Sequence, residues 1–259
     1  MPSPRLIGAA VVASALILGG GALLSPPGFR IGNFSAESPG AKIPDGWERY
    51  ALAKVDTETR YDLVRADSTV VVRARSDGGA SGLAARQRFN LERFPVLEWR
   101  WKVDGVVEGG NARTKDGDDY AARIFVTFDY RHGLGGRIKR KALSALGYDN
   151  VPSRAINYVW ANRVPAGAPL ACPFTDWVMM IPLQSGEAKA GEWVTQRRNV
   201  LADYRALYDE DPPPVTGVAI MTDTDNTDGS ATAYYGDIVF RPGGSDSASS
   251  LADPADPPE

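Results

Sequence analysis

The sequence predicts a mainly β protein built as a sandwich of two stacked sheets, with one or two short helices. Three observations predict this class. Many short segments alternate apolar and polar residues or are rich in Val, Ile, Tyr and Trp, turn-forming residues separate them, and only two segments show helical spacing. Strands do not alternate regularly with helices, so the pattern does not indicate a parallel α/β fold.

The N-terminal residues determine the expected compartment. Residues 6–24 carry no charged side chain. This run approaches the length that spans a bilayer, whereas the apolar core of a signal peptide is usually shorter. The small residues Gly21 and Ala22 suit a signal peptidase. We therefore expect residues 1–28 to be a signal peptide or an N-terminal membrane anchor, and the protein to be exported, either periplasmic or membrane-anchored facing the periplasm.

The rest of the chain divides by composition. Residues 25–40 are rich in Pro, Gly and Ser, which predicts a linker over 29–40. Residues 242–259 are small, polar or acidic with few apolar side chains, which predicts a disordered acidic tail. The β-sandwich domain is expected between them, at 41–241. Cys172 is the single cysteine, so an intrachain disulfide is excluded.

Alternation of polarity identifies the strands. In 97–103, the apolar residues Leu97, Trp99, Trp101 and Val103 alternate with charged ones, so one strand face is expected in the core and the other in water. Helical spacing is confined to 136–146 and 195–209. The predicted strands are 69–75, 97–103, 121–130, 156–160, 177–183, 215–221 and 231–240.

Charge and residue inventory exclude several functions. The formal net charge is −3, which argues against a nucleic-acid binder because such a protein needs a basic face. The basic segment 137–141 is interpreted as a solvated helix face, with contact to an anionic lipid or polyanion as the alternative. His132 and Cys172 are the chain's only histidine and cysteine, too few for a structural zinc site.

Two clusters of carboxylates remain as candidate site residues. The first, 116–119, leads into the predicted strand that carries Arg123, and the second, 223–228, follows the strand that ends at Met221. Grouped carboxylates are unfavourable unless a cation or an arginine offsets them. Period-two alternation places Asp119 and Arg123 on one strand face, which predicts an ion pair between them.

The second cluster has some features of a calcium loop. Asp223, Asp225 and Thr227 occupy the first, third and fifth positions of such a loop, and their oxygens suit Ca²⁺. However, the glycine comes one residue late, and Tyr234 stands where a bidentate Glu is expected. Three interpretations remain open: a calcium site, a turn whose side chains cap the backbone, or a direct ligand-binding or catalytic role. Calcium is the single candidate cofactor.

Six sequence motifs occur in an order that resembles the bacterial family named domain of unknown function 3047. They are 97–103, 118–123, 156–160, 191–193 with Arg198 and 203–204, 221–227, and 235–238. The resemblance covers about 47–241. It implies an exported bacterial β-sandwich, similar in outline to jelly-roll carbohydrate-binding modules, and it implies no activity. Asp228 is an extra residue after the 221–227 motif, which argues against a fixed metal geometry there.

Together these observations favour a jelly-roll-like β-sandwich that binds a glycan or another hydroxyl-rich ligand in the cell envelope. Its partner is then a carbohydrate or a similar small molecule, not a nucleic acid, and it meets a membrane only through an uncleaved N-terminal segment. Alternatives are a carbohydrate-active hydrolase or lyase using the paired carboxylates, with Tyr120 or Tyr235 as acid or base, and a non-catalytic structural envelope protein. The two clusters are expected to meet at one rim, where the predicted ligand-binding residues are Asp118, Asp119, Arg123, Asp223, Asp225 and Asn226.

Overall fold

The computed structural model describes residues 28–243 apart from 42, 53, 138–140 and 142–152, together with 250 and 251. Fourteen strands dominate this part of the chain, and the helix α1 lies between β11 and β12. The mainly β, jelly-roll-like sandwich predicted from the sequence is confirmed. The elements are β1 (Phe29–Gly32), β2 (Trp47–Ala51), β3 (Arg60–Ala66), β4 (Thr69–Asp77), β5 (Ala80–Phe89), β6 (Val96–Val103), β7 (Tyr120–Phe128), β8 (Ala155–Ala161), β9 (Leu170–Cys172), β10 (Thr175–Ser185), β11 (Val194–Asn199), α1 (Val200–Tyr208), β12 (Val215–Asp223), β13 (Ser230–Tyr235) and β14 (Ile238–Arg241).

The strands form two seven-stranded sheets. The first sheet has the order β1-β14-β6-β13-β4-β3, and β11 pairs with β6 outside this path. The second has the order β2-β5-β12-β7-β8-β10-β9. Among the described strands, pairing is antiparallel except between β8 and β10. β12 and β7 are therefore neighbours in the middle of the second sheet, which positions the candidate site.

The core lies between the two sheets. Trp99 and Trp101 of β6 point inward, where Trp99 lies 5.4 Å from the Tyr158 ring and Trp101 lies 6.0 Å from the Trp160 ring. Each ring is almost fully buried. Burying a side chain of this size contributes about 2–3 kcal/mol. Alternation in β6 thus fixes which sheet face is apolar, as the sequence predicts.

The helix predicted over 195–209 is wrong in its first third. Val194–Asn199 form β11, which pairs with the free edge of β6, and the helix begins at Val200. The Asn199 side chain caps this start by accepting a hydrogen bond from the Ala202 N–H. Pairing with β6 outweighs the local helical spacing because it satisfies the edge of a buried strand.

Two other predicted boundaries are corrected. The linker over 29–40 is wrong at its start, since β1 pairs with β14 and Phe34 is fully buried. The strand predicted over 231–240 is divided into β13 and β14, because the chain leaves the ladder at Gly236 and Asp237. The Gly236 N–H still donates to the Arg100 carbonyl, so both strands remain beside β6.

Several predictions fall on residues outside the described part. These are the signal peptide or anchor, most of the basic segment, and most of the acidic tail. Of the helix predicted over 136–146, residues 136, 137 and 141 are described and are helical. Within the described residues, none of the helices has the length and apolar character that crossing a membrane requires. Export therefore stays a prediction.

Candidate functional site

Antiparallel pairing of β12 with β7 brings the two acidic clusters together. β12 ends at Asp223, which lies opposite Tyr120, the first residue of β7. The residues just before β7 therefore meet the loop just after β12. Carboxylate oxygens of Asp119, Asp223 and Asp225 lie within 4.8 Å of one another. Both predicted clusters thus contribute to one group, which we call the aspartate cluster (Asp118, Asp119, Asp223 and Asp225).

A β-bulge at the start of β7 determines which side chains share a face. Met221 pairs with Arg123 and Asp223 pairs with Tyr120, so β7 has one residue more than β12 between these pairs. Tyr120 and Arg123 therefore point to the same outward face of the second sheet, and the Arg123 guanidinium carbon lies 4.8 Å from the Tyr120 ring centroid.

The bulge also changes the predicted ion pair. The expected partner of Arg123 was Asp119, because regular alternation puts both on one face. Arg123 instead forms a close ion pair with Asp223, and its other terminal nitrogen lies 3.9 Å from the Asp118 carboxylate. All three side chains are buried, Asp223 being 1% exposed. The extra residue breaks the alternation on which the predicted pair depended.

Asp119 organises the loop that follows β12. Its Oδ2 accepts hydrogen bonds from the Thr227 N–H at 2.8 Å and the Thr227 hydroxyl at 2.7 Å. The Asn226 N–H donates to the same carboxylate at 3.1 Å. The loop backbone is thus capped by a carboxylate from the other cluster, which corresponds to the turn-capping interpretation with Asp119 as the capping residue.

Burial shifts the acid–base behaviour of two carboxyl groups. Burial raises the pKa of Asp118 to about 6, and the nearby Arg123 only partly offsets this effect. The Tyr120 hydroxyl donates to Asp118 Oδ1 at 3.1 Å. Burial, followed by the charge of Asp119, also raises the pKa of Asp225. Both groups therefore retain a proton at higher pH than an exposed aspartate does.

The ion pair between Arg123 and Asp223 contains two buried polar atoms whose hydrogen-bonding capacity is unused. Among the described residues, Asp223 Oδ1 and Arg123 Nε make no hydrogen bond. One is an acceptor and the other is a donor. Buried polar atoms are almost always satisfied, so an unsatisfied pair of this kind indicates an ordered water or a ligand group.

The structure adds Asn157, which the sequence analysis did not select. Ile156 and Tyr158 of β8 point into the core, so Asn157 faces outward on the second sheet. It is opposite Phe125, two pairs along from the pair of Arg123 with Val159. Its Oδ1 is also buried without a partner. A single amide in the apolar strand 156–160 is the sequence signal that could have identified it.

Tyr120 and Tyr235, the candidates for acid or base, occupy different environments. Tyr235 is fully buried on the core side, where its hydroxyl donates to the Met221 carbonyl at 2.6 Å and accepts from the Arg123 N–H. These two hydrogen bonds of Tyr235 stabilise the bulge between β7 and β12. Burial raises the pKa of Tyr235, and burial followed by Asp118 raises that of Tyr120. Both hydroxyls therefore stay protonated near neutral pH.

The predicted calcium ligands are largely occupied by protein groups. Asp119 joins Asp223 and Asp225 in the group of nearby carboxylates, and the Thr227 hydroxyl donates a hydrogen bond to Asp119. Asp223 is paired with Arg123, and Asp225 Oδ2 accepts from the Asn226 amide at 2.9 Å. A cation would have to compete with these donors, so the donor set does not form a ready calcium site. Calcium stays a prediction.

Fold and site together define a β-sandwich with a buried arginine and four aspartates at one end of its second sheet. The chain belongs to the family described as Protein of unknown function (DUF3047), whose model matches residues 45–239. This confirms the family resemblance drawn from the six motifs. A search of curated proteins finds no match.

Solved structures similar to this chain include a xyloglucanase and two carbohydrate-binding modules. The family 12 xyloglucanase from Bacillus licheniformis aligns with a TM-score of 0.42 and 9% identity, over 78% of this chain and 97% of the other. The family 11 carbohydrate-binding module of a cellulosomal cellulase of Clostridium thermocellum aligns with a TM-score of 0.39 and 9% identity, over 84% and 95% of the two chains. A CBM29-2 mutant complexed with cellulohexaose gives 0.36 and 13%, over 89% and 97%. These values are too low to carry an argument about function.

Proposed function

We propose that this protein is an exported binding domain for a glycan or another hydroxyl-rich ligand of the cell envelope. The binding site is the aspartate cluster together with Arg123 and Asn226. The observation that carries the proposal is that Asp223 Oδ1 and Arg123 Nε are buried with no partner among the described residues, while Asp225 and Asn226 of the following loop are half-buried. A hydroxyl group both donates and accepts, so it complements this pair.

The depth of the pair limits what reaches it. Both atoms lie below the surface, so the group that satisfies them is small, either one ligand hydroxyl or the water that bridges to it. Asp225 and Asn226 lie at the rim, where their oxygens and amide contact neighbouring hydroxyls. The site is therefore suited to an uncharged polyol, because an anion would face four aspartates and one arginine.

An aromatic ring next to the cluster supports the sugar assignment. Phe125 is half-buried on the outward face, two residues beyond Arg123, whose guanidinium carbon lies 5.6 Å from the ring centroid. Its cross-strand neighbour Ala219 is small and also half-buried. Sugar rings have apolar C–H faces that stack on such a ring while their hydroxyls reach polar groups.

The test is a thermal-shift and calorimetric screen of the full chain against neutral oligosaccharides, with and without Ca²⁺. A ligand specific for the native state raises the melting temperature. We expect Asp225→Ala to weaken binding of a hit by about tenfold, whereas Asp211→Ala, which removes an exposed aspartate paired with Arg205 beyond the helix, leaves it unchanged. A hit whose affinity Asp225→Ala does not alter would overturn the site, and a Ca²⁺-dependent shift would restore the cation interpretation.

One observation favours a second candidate function, a glycoside hydrolase or lyase. Asp118 has its pKa raised to about 6, so it keeps its proton in mildly acidic solution and can serve there as a general acid. Release of new reducing ends from a polysaccharide panel tests this candidate. Activity that is lost in Asp118→Asn supports the enzyme, and binding without product release supports the binding domain.

A further inference from the structure

The outward face of the first sheet carries a cavity that is separate from the aspartate cluster. Its volume is about 510 Å³. It lies here because Glu98 and Arg100 of β6 alternate with the inward Leu97, Trp99 and Trp101 and so face solvent. The charged side chains that line it are Arg30, Arg100, Arg197, Arg241, Glu98 and Asp237.

The charges of this cavity do not balance. Four guanidinium groups face two carboxylates, which leaves two positive charges. Glu98 is shared, since Arg197 donates to it at 2.8 Å and Arg241 donates to its other oxygen. Burial alone would raise the pKa of Glu98, but hydrogen bonds from Arg241 and Arg197 outweigh it and lower the pKa. Glu98 therefore remains ionised, and it orients both arginines.

Arg100 is the cation without an acidic partner. None of the described residues supplies a carboxylate to its guanidinium, whose carbon lies 4.4 Å from the Trp193 ring centroid. Gly236 allows its side chain to lie close to the strand, because a Cβ there would come within 2.6 Å of Arg100 Cγ. Arg100 is thus held in place by a ring and a glycine while its N–H groups are left for an acceptor.

Two partly exposed aromatic rings continue this surface. The ring centroids of Trp193 and Tyr234 lie 6.3 Å apart. Trp193 is fixed by a 2.8 Å hydrogen bond from its indole N–H to Asp67. The Lys102 ammonium lies 4.6 Å from the Tyr234 ring centroid. Rigid aromatic rings beside guanidinium groups suit a ligand that has both an apolar ring face and an anionic group.

We propose that this outward face binds a carboxylated saccharide, with the uronate carboxylate at Arg100 and a sugar ring against Trp193 and Tyr234. Guanidinium groups bind carboxylates through two parallel hydrogen bonds, which gives geometric selectivity as well as attraction. The surface is on the other sheet from the aspartate cluster. The proposal for this surface is therefore independent of the proposed neutral-ligand site at the aspartate cluster.

The experiment is isothermal titration calorimetry of the full chain with three ligands. They are a trimeric oligogalacturonate, the same trimer after reduction of its carboxyl groups, and inorganic phosphate. We expect binding of the acidic trimer, and at least about tenfold weaker binding of the reduced trimer and of phosphate. Arg100→Gln should weaken binding of the acidic trimer about tenfold, with little loss of thermal stability because Arg100 has no acidic partner. Arg205→Gln removes an equal charge from the exposed Arg205–Asp211 pair and should leave affinity unchanged.

Each other outcome overturns the proposal. Absence of binding, equal affinity for the reduced trimer, equal affinity for phosphate, or full affinity in Arg100→Gln would each exclude carboxylate recognition at this face. Asp225→Ala is titrated in parallel. Loss of acidic-trimer binding in Asp225→Ala but not in Arg100→Gln would assign the ligand to the aspartate cluster, which separates failure of this proposal from failure of the proposed function.

Discussion

Two buried ion pairs of the same composition differ in how completely their atoms are satisfied. In the pair Arg198–Asp203, both aspartate oxygens accept two hydrogen bonds: from Arg198 and the Tyr158 hydroxyl on one oxygen, and from Arg198 and the Leu251 N–H on the other. In the pair Arg123–Asp223, one aspartate oxygen and the arginine Nε find no partner in the described part of the chain. Both aspartates are at most 1% exposed.

The difference separates a structural role from a binding role. A buried pair with every lone pair used is part of the scaffold, since removing one partner leaves an uncompensated charge. A buried pair in which some polar atoms lack a hydrogen-bond partner destabilises the folded protein, and a bound water or ligand group that satisfies those atoms removes this cost. Depth of burial and residue type, which the two pairs share, do not distinguish these roles.

Asp203→Asn should give the largest effect, because it removes the charge that balances Arg198 and places an NH₂ group against donors. We expect the free energy of unfolding to fall by about 4 kcal/mol, measured by urea denaturation. Asp211→Asn, in the exposed pair with Arg205, should cost less than about 1 kcal/mol. A loss below about 1 kcal/mol in Asp203→Asn would remove the contrast between the two pairs.

Asp119→Ala should come next. It removes the acceptor of two loop N–H groups and the Thr227 hydroxyl, and hydrogen bonds to a charged group contribute more than neutral ones. We expect a loss of about 3 kcal/mol in the free energy of unfolding, and roughly half of that for Asp119→Asn, which keeps one acceptor oxygen. Equal stability of Asp119→Ala and wild type would show that the loop holds its shape without the cap.

The fold could be predicted from the sequence where one face of a strand is exposed to solvent. In β6 the charged residues mark the outward face, so its alternation and the burial of Trp99 and Trp101 follow directly. β11 was missed because its sequence is polar on both faces and its strand state depends on pairing with β6. β1 was missed because Gly and Ser dominate its surroundings, although Phe29 and Phe34 were a signal of burial.

The candidate site could be predicted only in part. The meeting of the clusters follows from strand ends, since each cluster adjoins one. The identity of the partner of Arg123 does not follow, because a bulge at Ala121 and Ala122 depends on how β7 fits β12 and leaves no local mark in the sequence. Unsatisfied atoms such as Arg123 Nε are properties of packing, which no residue pattern encodes.

Asp118 should make stability fall with rising pH. Its folded pKa is about 6, above the ordinary aspartate value of 3.8, so the folded state binds the proton more tightly than the unfolded state. The contribution is fully present below about pH 4 and is lost as pH rises through about 6, by up to about 3 kcal/mol. Asp118→Asn should lack this dependence when urea denaturation is repeated from pH 4 to pH 7. Parallel curves for variant and wild type would assign the dependence to other groups.

Asp223→Asn should have the smallest effect, about 1 kcal/mol in the free energy of unfolding, although Asp223 is buried almost as deeply as Asp203. The reason is that Arg123 retains Asp118 at 3.9 Å, and with one negative charge fewer nearby, Asp118 ionises more readily and takes over the balance of charge. The pKa of Asp118, followed by its carboxyl chemical shift, should therefore fall in this variant. A loss as large as that in Asp203→Asn, with the Asp118 pKa unchanged, would mean that Asp223 is structural and that its unpartnered oxygen does not indicate a ligand.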